Sequence, residues 1–291
     1  MFIKVLHEIK RYLEYLFVII FFFLSRLIGI NLSSLLGGTV FSLYGLFSKR
    51  NSIALSNLEK VFPNKKLKEK KKIIRNMWFH FGRIIGEYPH LKSINIFENP
   101  NIKIKNIQNL LGPLKKEKKC IFFSAHIGNW ELTSHPLTQN GYKIYFIYRA
   151  PNNRLVDNLL RRIRQDYGVN LIKKGPQGAK DCIKVLKENG NIGMLIDQKM
   201  NDGVPSLFFG RKAMTAPAIV KLSMKFKCPI VPAVCIREKG IKYSIEYFKP
   251  IRQSKLKKFK NEYEILNYLN TYIESWIKNN PSQWMWIHNR W

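Results

Sequence analysis

The chain has 291 residues, 46% of them hydrophobic, which excludes bulk disorder and leaves room for one large α/β domain or two small ones. With 50 Lys and Arg against 19 Asp and Glu the formal charge is +31, which points to an anionic partner such as nucleic acid, an anionic membrane or an acidic protein; roughly half of the excess reads as a Lys bias spread over solvated faces. The four cysteines, Cys120, Cys182, Cys228 and Cys235, form no CxxC pair and sit among apolar residues, so they read as buried reduced thiols rather than as a disulfide framework or zinc ligands.

Tyr12 to Phe47 is nearly free of charge, broken by Glu14 and Arg26, and is densest at "YLFVIIFFFL". No small-residue cleavage site follows, so the segment reads as retained. A membrane-crossing helix needs about 20 apolar residues. Tyr12 to Ile30 is marginal by that measure, with Arg26 placed to snorkel. The expectation is a membrane anchor over residues 1–48, spanning the bilayer or lying in its interface; a pair of buried core helices is the alternative. Asn51 to Pro89 reads as helical, with a turn at Pro63-Asn64 and a basic helix from Leu67. Ile73, Ile74, Met77, Trp78, Phe81, Ile84 and Ile85 recur there at helical spacing. The Lys65 to Lys72 run is a solvated face, and beside an anchor it also suits anionic headgroups.

From Cys120 onward strands alternate with helices. The predicted strands are Lys119 to Ser124, Lys143 to Tyr148, Asn191 to Ile196, Ile230 to Ile236 and Lys242 to Tyr247. The predicted helices are Trp130 to Gln139, Asn153 to Tyr167, Gln177 to Glu188, Ala216 to Phe226 and Glu262 to Lys278, with Gly141, Gly168 and Gly190 where helices should end. Phe208 to Pro217 reads as a loop feeding a helix, with Thr215 as its N-cap. The pattern predicts an α/β fold with a mostly parallel central sheet flanked by helices, catalytic domain 49–291, preceded by the apolar helical segment. Trp284 and Trp286 read as core; Trp291 suits either core or a membrane-interface belt.

"HIGNWEL" carries the chemistry. His126 falls just past the carboxyl end of a predicted strand, where ligands bind in open α/β sheets. Gly128-Asn129 then opens a helix with Glu131 in its first turn. A carboxylate on one ring nitrogen fixes the tautomer and raises basicity at the other, so the spacing predicts a His126–Glu131 dyad able to take a proton from a hydroxyl. The same pair also fits a capping or core histidine beside a helix-N-terminal glutamate. A zinc set of His126, Glu131 and His135 fits less well, because it is not HExxH. Ser124 and Cys120 share one face of the preceding strand but neither sits on a strand-to-helix elbow. Direct attack by the acceptor hydroxyl is therefore the simpler expectation.

The motif resembles the H-x4-D/E signature of glycerolipid-type acyltransferases, and its GNWE version is similar to that of the late (lauroyl and myristoyl) acyltransferases of lipid A biosynthesis. Further blocks agree in order: "YRAPNN", "LLRRIRQDYG", "DQK" at Asp197 to Lys199, "FFGRKAMTAPA" and the terminal "NPSQWMWIHNRW". Lys199 departs from the second acid of the family's usual DQD run. The resemblance implies an acyl chain delivered as a thioester on acyl carrier protein, and the hydroxyl of a 3-hydroxyacyl chain on an anionic lipid A precursor as acceptor. His126 would be the base and Glu131 its partner. Arg149, Asn129, Arg164, Asp197 and Arg211 would serve substrate binding, Arg149 at an oxyanion or a phosphate. No metal and no cofactor is called for. The resemblance places the protein at the bacterial inner membrane with its catalytic domain on the cytoplasmic face. Two rivals stand beside this reading. One is acylation of a lysophospholipid or another glycolipid. The other, raised by the charge alone, is a nucleic-acid-binding protein; the dispersed lysines and the lack of a binding module speak against nucleic acid as a partner.

Overall fold

α1 (Phe2–Leu46) runs for 45 residues and bends at Gly29, where φ is 75°. The computed structural model describes residues 2–291. One side of α1 is docked along its length. Asn153 donates to the Arg11 carbonyl at 2.9 Å and to Glu14 at 3.0 Å, Phe22 stacks on Tyr88, and Arg26 donates to the Pro89 carbonyl. Beyond the bend the helix lies against α3 (Leu67–Glu87), which follows α2 (Asn51–Val61). A Cβ on Gly37 would stand 2.3 Å from the Gly82 carbonyl oxygen, and one on Gly82 would stand 2.2 Å from that of Gly37. Only glycine lets these two backbones approach so closely, the small-residue packing common between membrane helices. The other side of α1 is apolar and exposed, including Leu13, Phe17, Ile20, Leu24, Leu27, Leu35 and Leu43, and Phe47 just past its end is exposed as well. By length and composition Val5–Leu46 could cross a membrane.

The body is a seven-stranded sheet. Its elements, in chain order, are β1 (Ile102–Lys105), α4 (Gln108–Glu117), β2 (Ile121–Ser124), α5 (His135–Thr138), β3 (Ile144–Tyr148), α6 (Arg154–Asp166), β4 (Val169–Lys173), α7 (Pro176–Lys187) and β5 (Asn191–Leu195). The hairpin β6 (Val204–Phe208) and β7 (Arg211–Thr215) follows, then α8 (Ala218–Phe226), β8 (Ile230–Lys239), β9 (Lys242–Tyr247), α9 (Gln253–Leu256) and α10 (Glu262–Asn279). The order across the sheet is β1-β9-β8-β2-β5-β3-β4, and every pairing is parallel except β8 with β9. Helices cover both faces, which is why β2 reads as an unbroken apolar run and is buried at every residue.

Three local expectations are corrected. The helix expected over Trp130 to Gln139 is a 3-10 turn, Trp130–Ser134, followed by one turn of α5. Pro136 has no N–H to carry an α-helical ladder back into the turn. The loop expected over Phe208 to Pro217 contains β7, which reverses from β6 through Phe209 and Gly210, both at positive φ. Thr215 is therefore the last residue of a strand rather than a cap; its hydroxyl accepts from Ser206 and Arg290. Strands β1, β4 and β6 were not foreseen, and β1 and β4 are the two sheet edges, where the apolar signal is thinnest.

Candidate active site

The parallel register of the two central strands builds the site. β2 pairs with β5 so that Ser124 lies opposite Leu195. Two residues further on each strand, the chain delivers His126 and Asp197 side by side. His126 Nδ1 is 2.9 Å from Asp197 Oδ1, and the His126 backbone N–H donates to Oδ2 at 3.0 Å. Trp284 Nε1 donates to the same Oδ2 at 2.7 Å. Burial would raise the Asp197 carboxyl, but the His126 imidazole and these donors outweigh it and hold the group well below the usual carboxylate range. An ionised Asp197 keeps the His126 proton on Nδ1 and leaves the Nε2 lone pair free, the state a general base needs.

The loop after β2 is held from below. Gly128 has a φ of 57°, and a Cβ there would stand 1.6 Å from the Cys235 carbonyl oxygen. Glycine is thus required by both conformation and space. The C-terminal tail zips onto this loop: the Gly128 N–H donates to the Gln283 carbonyl at 3.2 Å, the Met285 N–H donates to the His126 carbonyl at 3.1 Å, and Ile127 bridges Trp284. Trp284 and Trp286 are both fully buried, worth roughly 4–6 kcal/mol each as an upper bound on area removed from water. Arg290, also fully buried, clamps the tail by donating to the Met214 carbonyl and the Thr215 hydroxyl.

Glu131 does not meet His126. It accepts from Arg164 Nε at 3.1 Å and Nη2 at 2.6 Å, and from the Tyr167 hydroxyl at 2.7 Å. The expected His126–Glu131 contact is corrected by this geometry. The 3-10 turn points the Glu131 carboxylate toward the end of α6, while the strand register gives the imidazole to Asp197. Burial pushes the Glu131 carboxyl up, but Arg164 and Tyr167 outweigh it and hold it below its ordinary value.

The remaining expected residues divide. Asn129 is buried and faces inward, donating to Glu87 at 3.0 Å within a network in which Arg237 grips Glu87 bidentately and Tyr243 donates to it. The Asn129 amide, expected to bind substrate, thus lies beneath the loop with its N–H engaged by Glu87. Arg164 is 18% exposed at its side chain, and its Nη1 has no protein acceptor among the described hydrogen bonds. Arg149 is exposed at the carboxyl end of β3, the same sheet edge from which His126 and Asp197 emerge. Arg211 is exposed at the β6–β7 turn and makes no described contact with the His126 cluster. His135 stacks on Tyr167 and bonds the Leu91 carbonyl at 2.9 Å, so its ring is spent on the core.

Two groups were missed by sequence reasoning. Gln198 Nε2 lies 3.3 Å from His126 Nε2 and 2.9 Å from Nε2 of His288, whose ring centroid is 5.7 Å from that of His126. Burial and the nearby His126 push His288 down to about 4, so it is neutral at physiological pH and accepts from the amide. Both residues stand in quoted sequence blocks, but Gln198 reaches His126 through the β2–β5 register, and His288 reaches it only because the tail folds back across the sheet. The alternative nucleophiles are shut away. Ser124 and Cys120 are fully buried, and burial pushes the Cys120 thiol far up.

The profile of the family described as "Bacterial lipid A biosynthesis acyltransferase" matches residues 3–291. A comparison with curated proteins gives no match.

Proposed function

The chain belongs to the bacterial lipid A biosynthesis acyltransferase family and is an acyltransferase, and from that premise we propose that it forms an ester by direct transfer from acyl carrier protein to a hydroxyl of a lipid A precursor. The observation that carries the mechanism is the Asp197–His126 pair, which leaves Nε2 as the ring nitrogen that accepts. His126 Nε2 takes the proton of the acceptor hydroxyl as that oxygen attacks the thioester carbonyl. The tetrahedral intermediate then collapses, breaking the C–S bond, and the imidazolium returns the proton to the leaving thiolate. Asp197 orients the imidazole and stabilises its charged form. Glu131 acts one step removed, holding Arg164 so that its free Nη1 meets a substrate oxygen. Arg149, a fixed cation at the same edge, suits a phosphate of the acceptor. Gln198 caps the base until the hydroxyl takes its place.

Residues 1–48 form the anchor and 49–291 the catalytic body. Docking of one side of α1 along that body, on both sides of the Gly29 bend, favours a helix lying in the membrane interface over one standing free across it. The body then sits on the face where the donor and precursor are made, the cytoplasmic face of the inner membrane. Mass spectrometry of lipid A from cells with and without this protein tests the proposal. One acyl chain fewer in its absence supports it; unchanged lipid A with an altered phospholipid or other glycolipid overturns the acceptor.

A further inference from the structure

A cleft of about 570 Å³ opens between the end of α1, α2 and the start of α3, and the transfer chemistry leaves it unused. Its walls include Leu46, Leu55, Ile74 and Trp78, and the lining is mainly apolar. Lys68, Lys71, Lys72 and Arg75 also line it. All four are exposed, and their spacing puts them on a single face of α3. Among the described residues no carboxylate lines the cleft, and none of the described ion pairs engages any of these cations. Glu69, the acid within this helical run, is taken by Lys65 at 3.6 Å and by the Lys66 backbone N–H at 2.9 Å. Four like charges on one helix face repel each other and destabilise the helix unless an anion meets them.

The cleft also continues an exposed apolar surface. Leu43, Tyr44 and Leu46, at its α1 edge, and Phe47 just past the helix end are all solvent-exposed and continue the outward apolar side of α1. An acidic protein would answer the four cations and leave the apolar walls wet. A zwitterionic lipid would fill the walls and leave the cations without a net countercharge. An anionic lipid satisfies both, and the volume falls within the usual range for ligand sites. We propose that this cleft holds one anionic phospholipid of the membrane, with its phosphate on Lys68, Lys71, Lys72 and Arg75 and an acyl chain along Leu46, Leu55, Ile74 and Trp78. The site would fix the depth and tilt of the catalytic body at the bilayer surface. It rests on the reading of α1 as membrane-embedded.

The test is native mass spectrometry of the full chain released from detergent micelles carrying either phosphatidylglycerol or phosphatidylcholine with identical acyl chains. Wild type should retain one phosphatidylglycerol, at least about tenfold more often than phosphatidylcholine. Combining Lys68→Gln, Lys71→Gln, Lys72→Gln and Arg75→Gln should bring phosphatidylglycerol down to the phosphatidylcholine level. Ser52→Trp, a substitution at an exposed position on the cleft wall, should abolish retention of both. Equal retention of the two lipids by wild type, or undiminished phosphatidylglycerol in the quadruple variant, overturns the site. Salt-washed membrane fractions of the same cells judge the anchor separately. Wild type in the supernatant sinks the membrane reading, whereas wild type in the pellet without lipid preference in the spectrometer sinks only the cleft.

Discussion

Asp197→Asn isolates the step on which the mechanism depends. The carboxylate receives two N–H donors at Oδ2, from the His126 backbone and from Trp284, and the imidazole at Oδ1. An asparagine keeps the first two by turning its carbonyl oxygen to them. Its NH2 then faces His126 Nδ1, which must accept, so the imidazole proton moves to Nε2 and the base loses its lone pair. Positioned general bases contribute about 10²–10⁴-fold, and wrong-tautomer substitutions in serine proteases reach about 10⁴. The expected fall in kcat is therefore about 10²–10⁴-fold, or roughly 3–5 kcal/mol of barrier. Shape and packing are nearly conserved, so circular dichroism should stay native. The assay is steady-state transfer from an acyl thioester to a hydroxylated lipid acceptor. A folded Asp197→Asn protein with kcat within about threefold of wild type would refute the tautomer argument.

Other outcomes follow from the same geometry. Glu131→Gln and Arg164→Gln should each lower both thermal stability and kcat, because breaking a buried pair costs about 3–5 kcal/mol; in a double-mutant cycle the second substitution should add little, and full additivity would contradict the coupling. Gly82→Leu should destabilise the protein and raise its aggregation, since the side chain meets the Gly37 backbone; removal of residues 1–47 should do the same by stripping the α3 face, as size-exclusion chromatography would show. His80 and His288 are pushed down, by burial first, to about 3 and about 4. The unfolded chain, at about 6.5, binds those protons more readily, so stability is full above pH ~6.5 and declines as pH falls toward 4, readable as Tm against pH. Ser124→Ala and Cys120→Ala should each retain most activity, and incubation with acyl thioester alone should leave the intact mass of the protein unchanged.

How much of this was legible in the sequence follows physical lines. The central strands were readable because double burial makes them continuous apolar runs, and His126 was readable because it ends one of them. The sheet edges β1 and β4 were not, since an exposed edge such as "IKIK" carries no such run. Asp197 was expected among the substrate-binding residues; its contact with His126 depends on strand register, which a one-residue slip would undo. The Glu131 carboxylate was assigned to the wrong partner because a helix was assumed where Pro136 leaves a 3-10 turn. Gln198 depended on the same strand register as Asp197, and His288 needed a tail fold that ends more than 150 residues after the motif it covers. The cleft beside α1 was foreshadowed only by a lysine run, which by itself reads as a solvated face.

The most direct test of His126 as base in transfer to a lipid hydroxyl uses purified wild-type and His126→Ala proteins in detergent with acyl-acyl carrier protein and a hydroxyl-bearing lipid A precursor, the product being read by mass spectrometry. Wild type should convert the precursor to a product heavier by one fatty acid less one water, and folded His126→Ala should leave it unconverted over the same time. Conversion by His126→Ala at the wild-type rate, or an acylated wild-type protein accumulating before the precursor is added, would contradict the account.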